Sequence, residues 1–197
     1  MDNVKGTSLE TKEKILKSAL DLFAEKGYDS SSISEICRKA EITKGALYWH
    51  FKDKLDLYKE LINLILQRVM EDAHEFVSEE HSPLNKLRIF NKNLLVMVET
   101  LDFYQKSLMM FLREMRSERV SDLHKSVEIL NEKYCFERYF QKAIKADEIS
   151  DALAPNEYLD LFKSIFTSLV VNWLVKGKPF DLAKRGERYF EYIFKIK

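Results

Sequence analysis

The chain has 197 residues, 32 Lys and Arg against 32 Asp and Glu, and is 46% hydrophobic and 12% aromatic. That apolar content excludes a disordered composition, and five Gly and three Pro are too few for a turn-rich β-sandwich, so a mostly helical protein is expected. The balanced charge neither points to a nucleic-acid partner nor excludes one. Cys37 and Cys135 lie far apart without CxxC spacing and read as small buried hydrophobes in a reducing compartment. The N-terminal stretch has no apolar run, and "LLVMV" and "SLVV" fall short of the roughly 20 residues of a membrane span. A cytoplasmic protein with no membrane contact is expected.

In chain order, Ile15, Ala19, Leu22 and Phe23 form one apolar stripe, predicting an amphipathic helix over Thr11 to Lys26 that Gly27 stops. Ile33, Ile36, Cys37 and Ala40 stripe a short second helix, with Ser32 as N-cap and Glu35 completing a capping box. A turn over Glu41 to Thr43 leads into a third helix from Lys44 to about His50, N-capped by Thr43. A long helix over "KDKLDLYKELINLILQRVMEDAHEFV" follows, then one from Pro83 to about Thr100 and one over Tyr104 to Met115. Val120 to about Ala146 reads as a charged amphipathic helix, Pro155 opens one to Val175, and a last one carries Leu182, Tyr189, Phe190, Ile193 and Phe194. The fold class expected is all-α, with about nine helices.

Within the third helix, Tyr48, Trp49, His50 and Phe51 follow one another. Successive helical side chains are set about 100° apart, so one core cannot bury all four. Leu47 and Phe51 share the core face; Lys44, Gly45, Ala46, Tyr48, Trp49 and His50 are left to face outward. Long helix, short helix, tight turn and short helix make a helix-turn-helix, whose second helix enters the DNA major groove. Ser32 and Thr43 at helix N-termini suit phosphate, Lys44 suits a guanine edge or a phosphate, and Gly45 and Ala46 allow close approach. Tyr48, Trp49, His50 and Lys54 can donate to phosphates. Between Ile36 and Lys54 stand five basic residues (Arg38, Lys39, Lys44, Lys52, Lys54) against two acidic ones (Glu41, Asp53), a local excess hidden in the neutral total.

The string "ALDLFAEKGYDSSSISEICRKAEITKGALYWHFKDKLDLY", with Ile15 before it, closely resembles the N-terminal domain of the TetR family of bacterial transcriptional regulators. The resemblance runs from Thr11 to Leu61 and is most specific at "GALYWHFKDK". It implies that Ser32, Thr43, Lys44, Gly45, Ala46, Tyr48, Trp49, His50 and Lys54 are the DNA-contact positions. It also implies a DNA-binding domain over 9–54, with the helix-turn-helix at about 32–51, and a helical ligand-binding and dimerisation domain over 55–197. Two positions depart from the family's pattern: Cys37 stands in place of Ala, and Glu41 in place of the Gly of the turn. A non-Gly residue at positive φ costs on the order of 1 kcal/mol, so either the turn is adjusted or affinity is lost.

The C-terminal stretch "SLVVNWLVKGKPFDLAKRGERYFEYIF" is similar to that of repressors of multidrug efflux pumps. The implied protein is a homodimeric repressor on near-palindromic operator DNA, released by a small lipophilic or cationic ligand. Met97, Phe103, Met109, Met110, Phe111, Phe140, Phe162 and Phe166 are the candidate lining of its pocket, and Glu99 and Glu114 interrupt apolar stretches where a cationic ligand could be faced. The alternative from another class is a helical ligand carrier or interaction module without DNA binding. The four histidines have no metal-ligand spacing and no P-loop, GxGxxG or GxSxG occurs, so neither an enzyme, a cofactor nor a metal is expected.

Overall fold

The computed structural model describes residues 2–75, 77–114 and 136–194, with side chains from Ser8 onward. Among them are nine helices: α1 (Asp2–Lys26), α2 (Ile33–Ala40), α3 (Lys44–His50), α4 (Lys54–His74), α5 (Pro83–Thr100), α6 (Asp102–Glu114), α7 (Phe136–Lys145), α8 (Pro155–Val175) and α9 (Leu182–Phe194). The all-α expectation holds. Helix α1 begins well before the expected Thr11, and α6 runs Asp102–Glu114 rather than Tyr104 to Met115. Of the helix expected over Val120 to Ala146, α7 is the part within the described residues; Cys135 lies outside them.

The chain forms two compact units, one of residues 1–67 and 102–127, the other of residues 68–101 and 128–197. In the first, the fully buried Ile15, Ala19 and Phe23 of α1 pack with Ile36 of α2, Leu47 of α3 and Leu57 and Leu61 of α4, while Met110 adds α6. Each large apolar side chain so buried contributes about 1.5–3 kcal/mol. Helix α6 lies along α1 and is pinned to its C-terminal part by two polar bonds. Lys106 Nζ reaches Asp21 at 2.7 Å, and Arg113 Nε donates to the Ala24 carbonyl at 2.8 Å. Burial pushes the Asp21 carboxyl up, but Lys106 and Lys39 more than offset this and hold it below its ordinary value.

In the second unit α5, α7, α8 and α9 close around an aromatic core. Phe140 is stacked against Tyr158 at 5.8 Å and contacts Phe162 and Phe194 edge-on or tilted. Gly186, in the middle of α9, lets α9 approach α5: a Cβ there would run into Leu95 Cδ1 and lie 3.2 Å from Leu169. Helix α8 departs from one expectation. It is long and apolar enough, by length and composition alone, to cross a membrane, and a third of the residues in that apolar window are buried. Asp160 and Lys163 interrupt the string, which is why no unbroken apolar run reaches a span.

Candidate nucleic-acid interface

Helix α2 starts because Ser32 leaves extended backbone (φ −126°, ψ 152°) and its Oγ accepts the Glu35 N–H at 3.2 Å. Glu35 Oε2 in turn accepts the Ser32 N–H at 3.0 Å, the reciprocal pair of a capping box. Lys26 Nζ holds the same carboxylate at 2.8 Å; with the Ser32 bonds this lowers the Glu35 pKa to about 2. The N-terminus of α2 thus already carries an anion. Helix α2 ends at Glu41, which takes the left-handed conformation at φ 57°. Its N–H donates to the Arg38 carbonyl at 3.3 Å, and the Ile42 N–H to the Cys37 carbonyl at 3.0 Å. The turn is therefore not adjusted away from the glycine geometry. Two hydrogen bonds and the burial of Cys37 and Ala40 hold a residue where Gly is preferred.

Thr43 caps α3 by accepting the Ala46 N–H at 3.1 Å, and Leu47 is fully buried beneath. With Phe51, buried at the C-cap, that anchor fixes the rotation of a seven-residue helix. Trp49 is left 82% exposed and Tyr48 53%. Ser32, Thr43, Lys44 and Gly45 are exposed as well, and Ala46 and His50 half-buried. Among the described residues nothing requires Gly45 to be small, since a Cβ would meet only Thr43 Oγ1 at 3.8 Å.

Lys54, expected to donate to phosphate, also has partners within the chain. Its Nζ donates to the Tyr28 and Ser31 carbonyls, each at 2.7 Å, and lies 4.1 Å from the centre of the Tyr28 ring. The ammonium turns inward because two carbonyls and a ring face offer it a ready-made seat.

The candidate ligand residues divide between the units. Phe103, Met109, Met110, Phe111 and Glu114 belong to α6 in the first; Met97, Glu99, Phe140, Phe162 and Phe166 belong to the second. Met97, Met110, Phe140 and Phe162 are buried, Phe103, Phe111 and Phe166 half-buried, and Met109 exposed. Both acids have protein partners. Glu99 accepts the Leu182 and Ala183 N–H groups at 2.9 and 3.2 Å, capping α9, where the positive end of a helix favours a carboxylate. Glu114, 4% exposed, accepts the Tyr28 N–H at 3.1 Å. No periodicity links residue 28 to residue 114 or 99 to 182, so these pairings carry no sequence signal. Phe162 and Phe166 do line one crevice, with Asn91, Leu95 and Phe190; at about 10 Å³ it has room for about one water. A wider groove of about 550 Å³ runs along α8 and α9, lined by Ile165, Asn172, Arg185, Tyr189 and Ile193 among others.

A family model described as bacterial regulatory proteins, tetR family, matches residues 15–61, and one described as MAATS-type transcriptional repressor, C-terminal region, matches residues 83–196. The chain belongs to the TetR family. The HTH-type transcriptional regulator AcrR of Shigella flexneri is 28% identical, over 98% of this chain and 91% of its own length. The transcriptional repressor BepR of Brucella suis is 26% identical, over 95% and 92%. Two solved structures show the same TetR fold. FadR from Bacillus subtilis in complex with stearoyl-CoA has a TM-score of 0.78 at 20% identity, covering 92% of this chain and 97% of that one. NalD of Pseudomonas aeruginosa, secondary repressor of the MexAB-OprM multidrug efflux pump, has a TM-score of 0.72 at 24% identity, covering 95% and 96%. As a TetR-family member the chain is a DNA-binding transcription regulator and not an enzyme.

Proposed function

We propose that this chain represses transcription in the cytoplasm by placing the outer face of α3 in the major groove of operator DNA. Residues 9–54 act as the reading domain and residues 55–197 as the ligand-binding and dimerisation domain. One observation carries the reading: in a seven-residue helix anchored by the buried Leu47, Trp49 and Tyr48 stand in solvent beside Gly45, whose smallness nothing among the described residues requires. Tyr48, Trp49 and His50 contact phosphates, Lys44 reaches a base edge or phosphate, and Gly45 and Ala46 permit approach. Thr43 and Ser32 lie at helix N-termini; Ser32 meets phosphate only if the Glu35 carboxylate gives way.

The chain acts as a homodimer through α8 and α9. Val175 at 79%, Tyr192 at 83% and Tyr189 at 45% exposure leave apolar surface along these helices beside the α8–α9 groove. Two-fold symmetry then sets the two α3 helices about 34–36 Å apart on a near-palindromic site. The inducer is a small lipophilic or cationic molecule that opens the ring-lined crevice at Asn91, Phe162 and Phe166. The efflux-pump repressors and the stearoyl-CoA-bound FadR among its relatives agree with such a ligand. An inducer that binds the DNA-free form about 100-fold better shifts the equilibrium by about 2.7 kcal/mol. Helix α4, continuous from Lys54 to His74, is the chain's own link by which the shift reaches α3.

The test is fluorescence anisotropy on a duplex selected in vitro against the wild-type chain. Tyr48→Ala weakens binding to all duplexes alike, while Lys44→Ala also relaxes base preference by about 1–3 kcal/mol at one position. Wild-type binding by both variants, with unchanged melting, removes α3 from the interface.

A further inference from the structure

We infer that Asn91 is the specificity-determining residue of the inducer crevice, and that it selects a neutral lipophile carrying a hydroxyl or carbonyl over any ion. The inference deepens the reading of that crevice as the inducer site, and rests on it. Asn91 stands in the middle of α5, is 5% exposed, and lines the crevice with side chains of α8 and α9. Among the described residues it is the one polar side chain in a lining otherwise made of Phe, Leu, Ile and Gly186. Other buried polar residues, such as Ser31, Lys86 and Ser107, bond a carbonyl or a carboxylate. No described residue donates to the Asn91 side-chain amide or accepts from it. An amide buried without a partner costs stability that a Leu of similar size would not. Its two donors and one acceptor are what the crevice offers a ligand.

Among the described residues the lining holds no charge to meet an ion. Glu99 gives both oxygens to the Leu182 and Ala183 N–H groups, so it caps α9 rather than facing a cation. The neighbouring cations of α5, Arg88 and Lys92, are held by Glu187 and Glu191. An ammonium or carboxylate entering here would lose its hydration to apolar surface and one amide, whereas a hydroxyl exchanges one hydrogen bond for another. Phe166 is half-buried, beside the buried Phe162, Phe190 and Phe194. Turning its ring outward breaks no hydrogen bond and opens a space of about one ring next to Asn91, the apolar pocket with one polar anchor that a small ligand needs.

The probes are benzyl alcohol, toluene, benzylammonium and benzoate, one ring with four substituents. They are titrated at pH 7 into the full chain in a Trp49→Phe background. Of the two tryptophans this leaves Trp173, buried in α8 about two turns beyond Phe166, to report by its fluorescence. Benzyl alcohol is expected to bind at least ~10-fold tighter than either ion. Asn91→Leu is expected to weaken benzyl alcohol ~10-fold, on the scale of one hydrogen bond, and to leave toluene as tight or tighter. An unchanged affinity for benzyl alcohol, or equal weakening of benzyl alcohol and toluene, overturns the inference, because Asn91 then acts as packing. Should Asn91→Leu not fold, Asn91→Ala in the same two titrations decides. If benzylammonium or benzoate binds as tightly as benzyl alcohol, the inference fails while the crevice stands as an inducer site. If no probe changes the Trp173 signal with Asn91 intact, the reading of the crevice fails and the inference with it.

Discussion

Two sets of aromatic residues in this molecule do opposite work. In α3, Tyr48 and Trp49 stand 53% and 82% exposed; in α7, α8 and α9, Phe140, Phe162, Phe190 and Phe194 are each less than 8% exposed. The difference is geometric rather than compositional. A seven-residue helix docked by one Leu buries a single stripe and must show the rest, whereas longer helices packed on several sides bury rings at more than one angle. Exposure of a large apolar residue on a short, well-anchored helix is therefore a stronger sign of a binding face than the same residue in a long one.

Single-ring deletions break this comparison most sharply. Phe140→Ala, at a fully buried ring touching Tyr158, Phe162 and Phe194, is expected to cost about 3–5 kcal/mol in denaturant unfolding. Trp49→Ala removes a larger ring and is expected to change stability by no more than about 0.5 kcal/mol, while weakening DNA binding. Equal stability losses in the two variants would mean that Trp49 is packed, not presented.

Much of this was legible in the sequence because the signals are local. Ser32 with Glu35, Thr43 before Lys44, Pro83 and Pro155 each mark a helix start through chemistry within four residues, and α2, α3, α5 and α8 begin where those marks stand. The outward face of α3 follows from the same short range, since Leu47 and Phe51 share the core face and set the phase. What was not legible depends on partners far along the chain. Glu99 and Glu114 interrupt apolar stretches, which suggested a cationic ligand, but their partners are the N–H groups of residues 182, 183 and 28. The two carbonyls that seat Lys54 lie 26 and 23 residues earlier, in a turn whose shape no pattern announces.

The turn between α2 and α3 sharpens the comparison at a smaller scale. Glu41 sits at φ 57° with its backbone bonds made, so its strain comes from the Cβ rather than from a lost partner. Glu41→Gly is expected to raise stability by about 1 kcal/mol, the relief of a left-handed non-Gly residue, less what Gly loses through greater freedom in the unfolded chain. A variant less stable than wild type would show that the Glu41 side chain makes a favourable contact outweighing the strain.

The smallest effect concerns the anion on α2. Glu35 carries a pKa of about 2 against an ordinary 4.5, chiefly because Lys26 bonds it and secondarily because Ser32 does. A depressed carboxyl contributes stability that is fully present above its unfolded value, and that is lost as pH falls from about 4.5 towards 2. Glu35→Gln keeps the capping oxygen for the Ser32 N–H but removes the charge, so the melting-temperature gap between wild type and variant isolates the ionic part from every other titrating group. That gap is expected to be small at pH 7, because the carboxylate is solvent-exposed and its pairing with Lys26 is screened. It is expected to close progressively below pH 4.5, as the unfolded chain's Glu35 takes up a proton that the folded state binds only near pH 2. A gap that stays constant from pH 7 down to pH 3 would mean that the cap works through geometry alone, and that the Lys26–Glu35 pair contributes nothing to holding α2.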